Sequence, residues 1–462
     1  YENIRVPCAP SEIDYVFLTH AHIDHSGLLP LLYAGGFRGE IHATQATVSL
    51  CQIMLRDSAH IQEFEAEWRN RKAKRSGGDI YTPLYTMQEA LGSLEHFVPH
   101  PYGEKISIAD GITIRFLDAG HLLGSSSIEI WLEENGVSKK LLFFGDIGNF
   151  HQPLIRDPQY ADTADYVIME STYGNRLHEK PKNYIQDFVQ ILLETFQRGG
   201  SIIIPSFAVG RTQELLYFLK QIKDQNLLGK YQDVPIYVDS PLAIEATEIF
   251  QRNKESCFDE EALAYVQRGE NPIGVSGLRT AVTSEASMAI NADTRSKIVI
   301  SASGMCEAGR IKHHLKHNLW KPENTILFVG YQAVGTLGRR LLEGANYVTL
   351  FGESVKVAAQ IRQLQGMSGH ADQKGLELWI QHVQQVKKVF VIHGETTAAD
   401  TFTELLNEQG ISAYAPYSGT EFDVASGQFL HEAEPVYLEK PKSVKASATY
   451  DRLQIALDRV TA

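Results

Sequence analysis

Strand-length apolar runs punctuate the chain: Tyr15-Val16-Phe17-Leu18-Thr19, Leu141-Leu142-Phe143-Phe144, Ile202-Ile203-Ile204, Ile236-Tyr237-Val238, Ile298-Val299-Ile300, Ile326-Leu327-Phe328-Val329 and Val389-Phe390-Val391-Ile392. Asp165-Tyr166-Val167-Ile168-Met169-Glu170 is another, ending in an acid. Unbroken runs of this length predict strands buried on both faces. After residue 178 helical stretches such as Gln213 to Leu227 stand between them, and strands spaced by helices predict a parallel, doubly wound α/β sheet. A helix is predicted over the basic cluster Arg69, Arg71, Lys72, Lys74 and Arg75, ahead of Gly77-Gly78. Near the end, Pro435 to Lys445 reads as a polar connector. Tyr450 to Val460 reads as a short amphipathic helix with Leu453, Ala456, Leu457 and Val460 on one face.

The chemistry sits where these strands stop. His20-Ala21-His22-Ile23-Asp24-His25 packs four metal-ligand side chains into six residues after the first run. On a strand-to-loop turn this spacing can aim imidazole and carboxylate at two adjacent cations, and both donors suit Zn²⁺. His121 in Asp118-Ala119-Gly120-His121 and Asp146 in Phe144-Gly145-Asp146 also end apolar strands beside glycine. Alone, each would be an ordinary turn residue; their order after the first motif makes them ligand candidates. Glu170, His370 in Gly366-Met367-Ser368-Gly369-His370-Ala371-Asp372 and His393 in Val391-Ile392-His393-Gly394-Glu395 complete the set. Three later strands run into small-residue turns holding Ser206 and Arg211, Ser303, Gly304 and Arg310, and Gly330 to Thr336. Helix N-termini and free amides there can bind phosphate, with Arg211 or Arg310 adding a bidentate donor.

Composition narrows the class. The 462 residues, 43% hydrophobic, can bury a large core in two or three domains. Cys8, Cys51, Cys257 and Cys306 lack Cys-x-x-Cys spacing, so neither a disulfide framework nor a thiolate metal site is indicated, and a reducing, cytoplasmic setting is expected. No apolar run is long enough for a membrane span, and no signal-like segment precedes Cys8. A net charge of -13 argues against a protein coated in nucleic acid but leaves room for a local groove beside the basic cluster. There is no internal repeat and no KH-type Gly-x-x-Gly loop.

The His-x-His-x-Asp-His signature resembles that of the metallo-β-lactamase superfamily. Glu170 after the Asp146 strand, an α/β insertion, then Ser-Gly-His-Ala-Asp and Val-Ile-His-Gly-Glu resemble its β-CASP branch of nucleic-acid nucleases, over roughly Asp14 to Tyr417. The motifs are more similar to those of the RNA 3′-end-processing endonuclease and its bacterial homologues than to ribonuclease J. The resemblance implies an αββα sandwich interrupted by a parallel β-CASP domain. Its expected parts are residues 1–178, 179–345 for the insertion, 346–430 for the returning part, and 431–462 as connector and helix. Superfamily members usually carry earlier strands with an Asp near a Gly-rich turn, which these residues lack, so the first sheet is expected to be short of strands.

Position by position, the resemblance implies two zinc ions per chain, one held by His20, His22 and His121, the other by Asp24, His25 and His393, with Asp146 bridging. His22 stands where diiron relatives carry an acid, and His393 where DNA-repair members are aliphatic. Catalytic roles fall to Asp24, to His370 as general acid and to Glu170 as its holder. Water activated between the cations would attack phosphorus, leaving 5′-phosphate and 3′-hydroxyl ends. The implied partner is single-stranded RNA, with a homodimer allowed. Two other classes compete: a hydrolase of a small ester or thioester, which leaves the insertion, Glu170 and His370 unexplained, and a catalytically silent RNA-processing subunit, which usually lacks ligands that are all filled here.

Overall fold

The computed structural model describes residues 8–178, 183–364 and 367–436. The connector and terminal helix expected at Pro435 to Lys445 and Tyr450 to Val460 lie almost wholly outside them. Cys8–Ala415 form one compact unit. Described residues beyond it carry an antiparallel hairpin, Glu421–Asp423 with Gln428–His431.

Within the unit, strands Tyr15–Phe17, Glu40–Thr44 and Phe97–His100 make a parallel three-stranded sheet. A seven-stranded sheet runs in spatial order Ala413–Tyr414, Lys388–Ile392, Tyr166–Glu170, Val137–Phe143, Ser126–Glu134, Ile112–Asp118, Ile106–Ala109. Its centre is parallel: Tyr166–Glu170 pairs with Lys388–Ile392 on one side and Val137–Phe143 on the other. Strands on the two sides of the insertion are therefore neighbours, so the long detour between them returns to its starting sheet. Trp379, Phe402 and Leu406, from helices Gln373–His382 and Thr396–Glu408, bury one face of this sheet against Phe144 and Val391.

The inserted sheet has six strands, all parallel, ordered Leu278–Thr280, Ile236–Asp239, Ile298–Ser301, Ile202–Pro205, Thr325–Phe328, Gln360–Gln363. Its apolar runs bury both faces. Ile202, Ile204, Ile298 and Ile300 join one core, while Ile203 and Val299 between them join the other. Side chains alternate along a strand, so helices must cover both faces, as the unbroken runs predict. Gln360–Gln363 carries this sheet past the boundary expected at 345.

The basic cluster lies on the long helix Gln45–Ser76, capped at its start by the Thr44 side chain and ended by Gly77 at φ 70°. Lys74 and Arg75 in its last turn suit the negative end of the helix dipole. No described helix is long and apolar enough to cross a membrane.

Candidate metal centre

Every candidate ligand leaves the carboxyl end of a strand or the turn after it, so the two sheets deliver them to one point. His20 and His22 follow Tyr15–Phe17, Asp24 and His25 lie on the one-turn helix Ile23–Ser26, His121 follows Ile112–Asp118, Asp146 follows Val137–Phe143, and His393 follows Lys388–Ile392. They form two clusters. In the first, His22 Nδ1 is 3.1 Å from both His20 Nε2 and His121 Nε2, and Asp146 Oδ2 is 3.5 Å from each of the latter. In the second, His25 Nε2 is 3.2 Å from His393 Nε2 and 3.9 Å from Asp24 Oδ2. The other oxygen of Asp146, Oδ1, faces this second group, 3.4 Å from His25 and 3.3 Å from His393. One carboxylate thus touches both clusters with different oxygens.

The donor set fits cations. Burial lowers His20 and His121 well below the usual histidine range and His22 to about 4, so these rings are neutral and keep the lone pairs that a metal needs. Burial pushes the Asp146 carboxyl up, but the surrounding histidines, His25 first, outweigh it and hold it well below its ordinary range. Asp146 Oδ1 is buried yet accepts no well-formed hydrogen bond, an orphan that a cation would satisfy. Burial also works against ionised Asp24, but His393 and His25 bring it down to about 2; His393 in turn is raised to about 9 by Asp24, whose Oδ2 lies 3.6 Å from its Nε2. A cation held between these donors would compete with protons for them.

Neighbours fix the rings. The Nδ1–H of His121 donates to the carbonyl of Gly369 at 2.8 Å, leaving its Nε2 as the inward lone pair. Gln152 Nε2 donates to the same carbonyl at 3.0 Å. Thr19 Oγ1 lies 3.3 Å from His20 Nδ1, and Thr172 Oγ1 3.3 Å from His393 Nδ1. His393 has φ 51°, a left-handed backbone rare for a non-glycine residue, held by hydrogen bonds to its carbonyl from Ser171 N–H and Thr172 Oγ1. Sequence reasoning missed Gln152, Thr172 and the Gly369 carbonyl. Only Thr19, beside His20, carried any signal.

Alongside lies a histidine–carboxylate pair. Both oxygens of fully buried Glu170 are 3.2 Å from His370 Nδ1. Glu170 is itself pinned by the amides of Ile147, at 2.7 Å, and Thr172, at 3.3 Å. Burial disfavours charge on His370, but Glu170 and Asp146 outweigh it and raise its pKa above the usual histidine range. With Nδ1 committed to Glu170, the proton on Nε2 is the one available to a substrate.

The expected phosphate contacts are less available. Ser206 is buried, its hydroxyl receiving a hydrogen bond from Thr212. The Arg211 guanidinium is spent on Glu214 and the Met367 carbonyl. Arg310 donates to Asp239 at 2.7 Å and to the carbonyls of Ala281 and Val282. The bidentate donors expected at this sheet edge are thus tied up inside the fold. Gly304 packs against Phe207, and Ser303 stays partly exposed.

Two sheets that converge histidines and a shared aspartate on one point define a metal-dependent hydrolase. Comparison with known proteins gives the same class: family models match for the metallo-beta-lactamase superfamily over residues 4–50, the Beta-Casp domain over 212–341 and the Zn-dependent metallo-hydrolase RNA specificity domain over 354–416. The chain is 35% identical over 401 residues to Ribonuclease TTHA0252 of Thermus thermophilus, covering 87% of this chain and 86% of that protein. It is 31% identical to an RNase J-like protein of Methanocaldococcus jannaschii, covering 88% of each. Transcription termination factor FttA of Methanosarcina mazei matches at 30% over 84% of this chain, which spans 59% of that longer protein. The chain belongs to the β-CASP family of the metallo-β-lactamase superfamily.

Proposed function

We propose that this protein is a zinc-dependent ribonuclease that hydrolyses phosphodiester bonds of single-stranded RNA, leaving 5′-phosphate and 3′-hydroxyl ends. The observation that carries the reading is the paired cluster joined by Asp146 with the Glu170–His370 pair beside it. The relatives named as ribonucleases, and the match to an RNA specificity domain, support the choice of substrate. His20, His22 and His121 would hold one zinc, Asp24, His25 and His393 a second, and Asp146 both; nitrogen and oxygen donors without thiolate suit that ion. Two such cations supply an activated water and stabilise charge growing on phosphate oxygens.

The chain's own groups do the rest. His370 protonates the leaving 3′ oxygen from Nε2, and Glu170 orients the ring and keeps it charged. Of the expected phosphate contacts, Ser303 is partly exposed, whereas Gly304 is buried with its carbonyl bonded by Gln332. Free thiols throughout the described chain accord with a reducing, cytoplasmic setting.

The test is cleavage of 5′-labelled and internally labelled single-stranded RNA, with matching DNA, by zinc-loaded protein beside His370→Ala. Mononucleotide release marks a 5′-exonuclease and internal fragments an endonuclease. Absence of RNA cleavage by the intact protein rejects the reading, and cleavage undiminished in His370→Ala rejects the general acid.

A further inference from the structure

A cleft of about 240 Å³ opens beside the His370 pair, lined among others by Tyr173, Arg176, His178, Tyr331 and Ser368. It adjoins the proposed general acid. His178 Nε2 is 2.8 Å from the His370 carbonyl, Ser368 Oγ accepts a hydrogen bond from the His370 amide at 3.3 Å, and the Tyr173 ring lies 6.0 Å from the His370 imidazole. Within it the Arg176 guanidinium sits 4.3 Å over the Tyr173 ring and 5.8 Å from that of Tyr331. Among the described residues no carboxylate pairs with Arg176. Tyr331 is a large aromatic left 45% exposed, following Thr325–Phe328 in the inserted sheet.

An exposed ring, a cation held by aromatic faces and a slot beside a proton donor suit a nucleotide: base on ring, phosphate on guanidinium. We infer that this cleft binds the nucleotide on the 5′ side of the cleaved bond, its base stacked on Tyr331 and its phosphate met by Arg176. The side follows from the chemistry, since the group protonated by His370 is the 3′ oxygen of that nucleotide. The inference rests on the ribonuclease reading and adds a subsite to it. Stacking on an aromatic platform tolerates any base, so the cleft gives grip and register without sequence preference.

The test places 2-aminopurine in a single-stranded RNA at the position immediately 5′ of the mapped cleavage site, and mixes it with metal-free protein so that nothing is cut. Fluorescence quenching on binding is expected with the native chain and is lost in Tyr331→Leu. In turnover with zinc, Tyr331→Leu should raise KM about tenfold on intact RNA, the lower part of the range for one stacked base. Native and variant chains should perform alike on RNA with an abasic ribose at that position. Quenching that survives Tyr331→Leu, or an equal loss on intact and abasic RNA, overturns the subsite while leaving the ribonuclease reading in place. An abasic site that costs the native chain nothing also overturns it, and this arm does not depend on the variant folding. Failure of the native chain to cleave intact RNA removes the ribonuclease reading first.

Discussion

Replacing Glu170 by Gln keeps the size of a fully buried side chain and removes its charge. Gln can still accept the Ile147 amide through its carbonyl oxygen, so the chain path after Asp146 is preserved. What it loses is the carboxylate facing His370 Nδ1 at 3.2 Å with both oxygens. A hydrogen bond to a charged group contributes about 1.5–3 kcal/mol, so the variant should lose about 10–100-fold in kcat where the acid must be charged. Complete loss of a general acid costs about 10²–10⁴-fold, which sets the ceiling that His370→Ala should reach.

The sign follows from the competing causes. Burial alone lowers the His370 pKa, and Glu170 is the larger of the charges that reverse it. Without that charge, burial wins and the imidazolium is lost at lower pH. As the proposed general acid, His370 must be protonated to act, so the alkaline limb of kcat should move to lower pH in Glu170→Gln, with the deficit growing toward alkaline pH and shrinking toward acid. Bound zinc disfavours the imidazolium in both proteins, so the difference between two pH–rate profiles is the quantity to measure. A Glu170→Gln profile equal to the native one after uniform scaling would refute the reasoning and reduce Glu170 to a structural role.

Asp146→Asn should lower bound zinc below two per chain by elemental analysis and abolish hydrolysis; retention of two equivalents would show that the bridging assignment is wrong. A Cβ at Gly148 would stand 1.7 Å from the Gly120 carbonyl oxygen, so Gly148→Ala should displace the turn carrying His121 and weaken zinc binding about 10–100-fold in a competition titration; unchanged affinity contradicts this. Asp239→Ala breaks a buried group that bonds Arg310 at 2.7 Å, His314 at 2.6 Å and Ser287 at 2.5 Å, and should cost about 3–5 kcal/mol by chemical denaturation. Burial pushes Asp239 up, but those partners outweigh it and hold it below its ordinary 3.8, so the stability it contributes is full above that value and is lost as pH falls through its folded one; the variant's acid limb should be correspondingly flatter. RNA affinity should fall with salt at a slope of about -0.7 per phosphate contacted, and a flat response would count against the RNA reading.

That the candidate ligands would cluster was legible because strand ends and the His-x-His-x-Asp-His spacing are local properties, and a sheet collects whatever its strands carry at one edge. Unbroken Ile-rich runs likewise announced the two-faced burial of the inserted sheet. What composition could not reveal was where a cation spends its hydrogen bonds. Arg211 and Arg310 read as open donors in the sequence, yet Glu214 and Asp239 claim them. Asp239 ends an apolar strand no differently from Asp146; only the fold decides that one meets an arginine and the other a cage of imidazoles. The Gly369 carbonyl that orients His121 escaped for the same reason, lying 248 positions away.

Chain order gives the two clusters different histories. His20, His22, His121 and Asp146 fall within the first third of the sequence, whereas the second cluster closes only when His393 returns beside His25 across 368 positions. During synthesis the residues of the first set precede the insertion, whereas His370, His393 and the Gly369 carbonyl that orients His121 follow it. A chain lacking the residues after the insertion would therefore carry the first cluster without His370 or His393.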